Sequence, residues 1–305
     1  VFLGENDVGV ADAIRLVVLA AVWGGAFLCL RIGAPVFGPA HLTAGRLALA
    51  AVFLLFVALG LRRRLPPLSA WRHFLILGAL NSALPFLLFA YAGRQLNASF
   101  MSILNALAPI YAAGLGAWWR GSPLTGRTLT GLALGLGGVA VLAWDNLALA
   151  GAGAGPALAA ALVAPVFYAC ASLYAQRTAA IADPIDNAHG SMWAATLLIL
   201  PVAAFEPATG QVANGSAWLA LLALGVVCTG VAYLLYFQLI GRIGPTRTLT
   251  VTFLIPVFGV LWGAVFLGEP VGWTLLLGGA CVLAGIGLTN TRIGLQRAAV
   301  TGAAP

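Results

Sequence analysis

Runs of about twenty apolar residues, each closed by charge, proline or a glycine-rich break, recur along the whole chain. A run of that length crosses the roughly 30 Å hydrocarbon core as a helix. Barrel strands alternate and are half as long, so continuous apolarity argues against them. Ten spans are predicted, over residues 13–33, 40–60, 72–92, 97–119, 126–144, 156–178, 187–205, 217–240, 246–267 and 271–291. The expected fold class is an all-α integral membrane protein. With 62% hydrophobic residues, and only 15 basic and 8 acidic residues among 305, the chain cannot solvate a soluble surface. That takes about 25% charged side chains.

All the basic residues are arginine. Without lysine there is no P-loop phosphate cradle, which excludes ATP hydrolysis by this chain. The net charge of +7 is spread over the edges of the apolar runs, a topogenic pattern and not a nucleic-acid surface. Arg15, Arg62, Arg63, Arg64, Arg72, Arg120, Arg127, Arg177, Arg242, Arg247, Arg292 and Arg297 fall on one side of the spans; Arg31 and Arg94 fall on the other, with Asp145, Glu206 and Glu269. This arrangement predicts a multi-pass protein of a bacterial inner membrane with both termini cytoplasmic. The first run is too long for a signal-peptide core and is expected to stay. The first ten residues and the tail after Arg297 read as solvated ends, and the missing initial methionine implies a trimmed start. Cys29, Cys170, Cys228 and Cys281 lie in apolar segments with no CxxC pair and no histidine at ligand spacing. They read as small hydrophobes, and neither a metal nor a cofactor is expected.

The chain matches itself without gaps at an offset of 147 residues, from Gly78 against Gly225 to Gly138 against Gly285. Within that register Pro109 meets Pro256, Gly116 meets Gly263, Gly121 meets Gly268, Pro123 meets Pro270 and Gly131 meets Gly278. Residues 1–150 and 151–305 are therefore expected to be two five-span repeats forming one membrane domain. Five is odd, so the second copy enters from the opposite side. Inverted repeats of this kind place a transported solute near the midplane, at their interface.

The run WGGAFLCLR from Trp23 to Arg31, Arg46 in the second span, and the paired proline and glycine blocks, above all Pro256 to Gly285 with Gly268-Glu269-Pro270, resemble the EamA-type drug/metabolite transporter superfamily. The resemblance covers nearly the whole chain and is greatest to the aromatic amino-acid exporters of the YddG type. It implies a ten-helix inner-membrane carrier of two five-helix repeats that exports metabolites, amino acids or drugs. Ser122 departs from the pattern, standing where that motif often holds an acid and leaving Glu269 alone in the second copy.

Proline removes its own amide donor and frees the carbonyl four residues earlier, here those of Asn105 before Pro109 and Thr252 before Pro256. The reading is a pair of hinges whose freed groups line the solute path; a kink satisfied by its own Asn or Thr is the plainer alternative. Ser82, Pro85, Phe86 and Phe89 share one face of the third span, and their mates Thr229, Ala232, Tyr233 and Tyr236 share one face of the eighth. Aromatic walls with a few hydroxyls suit an amphipathic solute, although such a stripe also serves packing or lipid contact. Trp23 and Tyr168, deep in the first span of each half, join the substrate-binding candidates, with Asn81 and Ser102. Arg46, about six residues inside its span, either binds a substrate carboxylate or snorkels to the interface. Ala112/Gly116 and Gly259/Gly263 read as packing pairs, while Gly131/Gly135 and Ala280/Ala284 fit contact with each other or with a second copy.

No Asp, Glu or His falls within the middle of a span. Proton-driven carriers place such groups there, so the expectation is export of small amphipathic metabolites, amino acids including aromatic ones, by alternating access through facilitated diffusion or exchange. The alternatives are a multidrug or other metabolite carrier and a proton-coupled antiporter. An enzyme is not expected, since no catalytic dyad or acid/base cluster occurs in the spans. The expected partners are a small-molecule substrate and the lipid bilayer, not nucleic acid.

Overall fold

The computed structural model describes residues 9–62, 68–120, 125–150, 154–178, 181–182 and 184–300; for 68, 120, 143–150, 184, 245–246 and 289–300 it describes the backbone alone. Arg63, Arg64, Gly121, Ser122, Pro123 and Asp183, the expected solvated ends at 1–8 and 301–305, and the side chains of Arg120, Asp145, Arg292 and Arg297 lie outside the described residues. Among the described residues the chain is helical and has no strand. In order the helices are α1 (Val10–Phe37), α2 (Pro39–Gly60), α3 (Trp71–Ala92), α4 (Ala98–Trp119), α5 (Gly126–Ala150), α6 (Ala154–Arg177), α7 (Pro184–Phe205), α8 (Gly215–Ile243), α9 (Val251–Leu267) and α10 (Trp273–Val300). Seven of these are long and apolar enough to cross a membrane; α5, α9 and α10 contain shorter apolar stretches. At 17 residues α9 reaches only about 25 Å. A separate turn, Pro245–Thr248, precedes it, with the helix interrupted at Leu249–Thr250.

The helix ends follow from local chemistry. Gly38, at φ 85°, turns the chain from α1 into α2, with Pro39 opening the new helix. Gly268 ends α9 at φ 64°, a left-handed conformation that glycine adopts without strain.

α3 and α8 each contain a π-helical insert, Ala79–Ala83 and Ala223–Val231. Moved by the repeat offset of 147, the first falls inside the second. Such inserts widen the turn and re-aim the side chains beyond them. In α8 the Thr229 hydroxyl donates to the Leu224 carbonyl five residues back, at 2.7 Å. α4 is broken at Ala106–Leu107, just after Asn105 and before Pro109. The second half differs. Thr252 and Pro256 both lie within continuous α9, so the expected match between the two hinges is inexact: the interruption falls one turn earlier, at Leu249–Thr250.

Helices pack between the halves. The principal pairs are α5 with α10, α1 with α9, α4 with α6, α2 with α7, α3 with α6, α1 with α8, α4 with α9, α2 with α8 and α3 with α7. Missing side chains bring backbones together. A methyl group on Gly285 would stand 2.6 Å from the Gly131 carbonyl oxygen, and one on Gly138 2.6 Å from that of Gly278. The α5 stripe thus packs within the chain, but against Gly278 and Gly285. Ala280 and Ala284 face outward, a correction to the expected pairing that follows from the helical phase of α10. Gly259 and Gly263 are packing positions as expected, with Ser102 and Ser99 of α4 filling the space where side chains would sit.

Candidate functional site

Two equivalent crossings organise the middle of the bundle. On α3, a methyl group at Gly78 would lie 2.6 Å from the Ser191 carbonyl oxygen of α7; on α8, one at Gly225 would lie 3.0 Å from the Arg46 carbonyl oxygen of α2. Arg46 and Ser191 therefore occupy matching places, at an offset of 145 residues. One side of the interface carries a guanidinium and the other a small hydroxyl.

Arg46 does not snorkel. It is only 6% exposed, its Nε donates to Thr229 Oγ1 at 2.9 Å, and its guanidinium carbon lies 3.5 Å from the centre of the Phe86 ring. The reason is geometric: the side chain points into the helix interface, where the π-helical turn of α8 presents an oxygen and α3 presents a ring face. Among the described residues its two terminal nitrogens find no hydrogen-bond partner, and they are not sealed from water. Tyr168, Tyr233, Cys29 and Cys228 lie close enough to interact electrostatically with it, and none of them is a carboxylate.

Around this cation the predicted residues sort into those that converge and those that do not. Asn81 Nδ2 donates to the Tyr233 hydroxyl at 2.8 Å, and Ser82, fully buried, lies beside the same phenol with no hydrogen-bond partner of its own. Ser82 corresponds to Thr229, but Ser191, standing where a second Arg46 would be, uses its hydroxyl on the Ala188 carbonyl at 3.2 Å. Phe89 stacks on Tyr168 at 6.5 Å and meets Phe27 edge-on at 5.4 Å. Trp23 packs on Tyr236 at 5.3 Å, extending the aromatic wall across α1 and α8. Tyr168, Tyr233, Tyr236 and Trp23 all keep part of their surface accessible, unlike Phe86 and Phe89.

Ser102 does not join this group. It is fully buried, donates to the Ser99 carbonyl at 2.7 Å and fills the space left by Gly259, which makes it a packing residue. Thr252 donates to the Leu249 carbonyl at 2.8 Å, the plainer alternative for a hydroxyl beside an interrupted helix. Asn105 ends the first piece of α4 and is partly exposed.

Sequence reasoning missed the fastenings at the two faces. At the face where α1 ends, Glu206 accepts from the Ala40 and His41 amides at 3.0 and 2.9 Å and contacts His41 Nδ1 at 2.8 Å, capping α2. Glu269 caps α4 in the same way through Ala98 and Ser99. Arg31 donates to the Gly93 and Arg94 carbonyls at the end of α3, at 3.2 and 3.1 Å. Orphan amides at a helix start carry partial positive charge and orphan carbonyls at its end negative charge, so each side chain meets its complement. At the opposite face Asp12 bridges Arg15 and Arg242 at 2.7 and 2.8 Å, and His73 contacts Tyr174 at 3.1 Å and Asn187 at 2.7 Å. The available signal was the placement of Glu206 and Glu269 beside span ends, on the side where the spans beginning near residues 40 and 97 also start.

Arg46 is thus a buried cation set among the Phe86 ring, the Thr229 hydroxyl and the Tyr168 and Tyr233 phenols, in a bundle of apolar helices. The EamA-like transporter family matches the chain twice, over residues 13–144 and 155–291, and the chain belongs to that family within the drug/metabolite transporter superfamily. A probable terminal-alkyne amino-acid exporter of Streptantibioticus cattleyicolor is 28% identical, over 94% of this chain and 96% of its own length. A probable amino-acid metabolite efflux pump of Escherichia coli K12 is 26% identical, over 90% and 93% respectively. A crystallographically solved protein superposes with a TM-score of 0.63 at 21% identity, covering 94% of this chain and 98% of that one, which is a likeness of fold. The protein is a multi-pass membrane transporter.

Proposed function

We propose that the chain exports small amphipathic metabolites, amino acids including aromatic ones, across a bacterial inner membrane by alternating access. The observation that carries this reading is Arg46: a buried guanidinium with two unpaired terminal nitrogens is a ready bidentate partner for a carboxylate, and aromatic faces surround it. The names of the two amino-acid relatives favour the same substrate class.

The architecture proposed is ten spans in two inverted five-helix repeats, divided near residue 150. Three features support it. The family matches each half separately. The π-helical inserts recur at the repeat offset. Exchanging α1–α5 with α6–α10 also maps the helix pairs onto themselves, α1 with α9 becoming α6 with α4 and α2 with α8 becoming α7 with α3. A pseudo-two-fold axis in the membrane plane produces that pairing. Twelve arginines on one side against two on the other favour cytoplasmic termini. The described acids, Asp12, Asp186, Glu206 and Glu269, stand at helix ends, which favours facilitated diffusion or exchange.

Counterflow into proteoliposomes tests the proposal. Labelled phenylalanine is expected to enter vesicles preloaded with unlabelled amino acid, saturably, with Arg46→Leu removing the signal and Arg46→Lys retaining part of it. Uptake that never saturates, or that Arg46→Leu leaves unchanged in correctly folded protein, contradicts it.

A further inference from the structure

Among the described residues the site proposed above contains a cation but no anion, and this bears on which solutes it takes. The described acids are all placed elsewhere: Asp12 with Arg15 and Arg242, Glu206 on the start of α2, Glu269 on the start of α4, and Asp186 in the first turn of α7. Beside Arg46 stand hydroxyls, thiols, an amide and rings. A bound carboxylate would pair with the guanidinium and leave the occupied site neutral. An α-ammonium arriving with it needs up to three acceptors in place of its water. The Tyr233 oxygen already accepts from Asn81 Nδ2 and the Thr229 oxygen from Arg46, which leaves the Asn81 side-chain oxygen and the buried Ser82 hydroxyl as acceptors, both neutral and too few to replace the ammonium's water. A ring face offers the ammonium only a partial substitute.

We infer that the site selects hydrophobic monocarboxylates, with the ammonium of an amino acid tolerated and not recognised, so that the analogue lacking it binds more tightly and crosses as an anion. This inference rests on the reading that Arg46 receives a substrate carboxylate. Carrying one negative charge outward per turnover is favoured by an inside-negative membrane potential. Export of such an anion is then driven uphill without any proton-loading carboxylate in the membrane, which matches the placement of the acids in this chain.

The test compares phenylalanine, 3-phenyllactate, in which a hydroxyl replaces the ammonium, and phenethylamine, which lacks the carboxylate. Each competes for counterflow of labelled phenylalanine in proteoliposomes of the full chain, and each is titrated against the melting of the purified protein. The expected result is half-inhibition by 3-phenyllactate at a concentration at least tenfold below that for phenylalanine, with no competition by phenethylamine. Efflux of preloaded 3-phenyllactate should rise several-fold under an inside-negative potassium-diffusion potential, while efflux of zwitterionic phenylalanine stays constant. If phenylalanine binds tighter than 3-phenyllactate and both are lost in Arg46→Gln, the selection for anions is overturned and the carboxylate anchor stands. If phenethylamine competes as well as phenylalanine, or no ligand shifts the melting of folded protein, the anchor itself fails. Arg46→Lys, which keeps the charge, supplies the comparison should Arg46→Gln not fold.

Discussion

Glu269 fastens Ser99 across the two halves of the molecule: its carboxylate accepts both the Ser99 amide, at 2.9 Å, and the Ser99 hydroxyl, while its other oxygen takes the Ala98 amide at 2.7 Å. The bond holds the loop after α9 to the first turn of α4, whose residues from Ala98 to Leu104 are all buried. Gly263 makes room for it, since any side chain there would occupy the place of the Glu269 carboxylate. The repeat position of Glu269 in the first half is Ser122, which has no carboxylate to offer. The fastening is therefore one-sided.

Replacing Glu269 with Gln keeps the shape and removes the charge that meets the amides of α4. Hydrogen bonds to a charged group are worth about 1.5–3 kcal/mol. In a chain of this length that corresponds to a loss of roughly 2–5 °C in melting temperature. Scanning fluorimetry of the two purified proteins in the same detergent decides it, and equal melting would mean that the cap adds nothing.

Gly259→Ala would drive a methyl group into the Ser102 side chain. Overpacking of this kind costs about 1–3 kcal/mol. Adding Ser102→Gly should recover most of that loss, so the double variant is expected to melt well above the sum of the two single effects. Strict additivity would show that the helices shift apart instead.

Thr229→Val conserves shape and deprives the Arg46 Nε of its acceptor. The guanidinium then lies free to rotate, and substrate affinity is expected to fall about tenfold. Thr229→Ser should restore it. Half-saturating concentrations for phenylalanine counterflow in the three proteins give the answer.

Gly78→Ala and Gly225→Ala insert the same methyl group against equivalent helix carbonyls, those of Ser191 and Arg46. Comparable losses of stability, about 1–3 kcal/mol each, are expected. Transport should separate them. Displacing the backbone of Arg46 moves the anchor itself, so Gly225→Ala is expected to weaken counterflow more than Gly78→Ala at matched folded protein. Equal activity in both would place Arg46 outside the binding path.

The helical membrane class, the family and most helix ends were legible in the chain, because each rests on patterns that survive without neighbours; α5 and α10 run six and nine residues past their expected ends, and α9 starts five residues late. Length and apolarity must match a bilayer whatever packs beside them. The register of the proposed repeat was suggested by Pro109/Pro256 and Gly78/Gly225, since proline and glycine constrain backbone locally. Ser82/Thr229 and Phe86/Tyr233 were likewise legible as faces. Only the tertiary structure decided what those faces meet. Whether Arg46 reached out to the interface or inward to Thr229 depended on the widened turn of α8, which no periodicity in the chain announces. Ser102 was a candidate as a central polar residue and Thr252 as the mate of Asn105; Ser102 donates to the Ser99 carbonyl within α4, and Thr252 to the Leu249 carbonyl at the break before α9. Glu206 and Glu269 looked like loop acids and proved to cap α2 and α4. Sequence fixes what a side chain can donate, accept or bury. Which partner it finds is set by helices distant along the chain, because charge and hydrogen bonding act over a few ångströms in space.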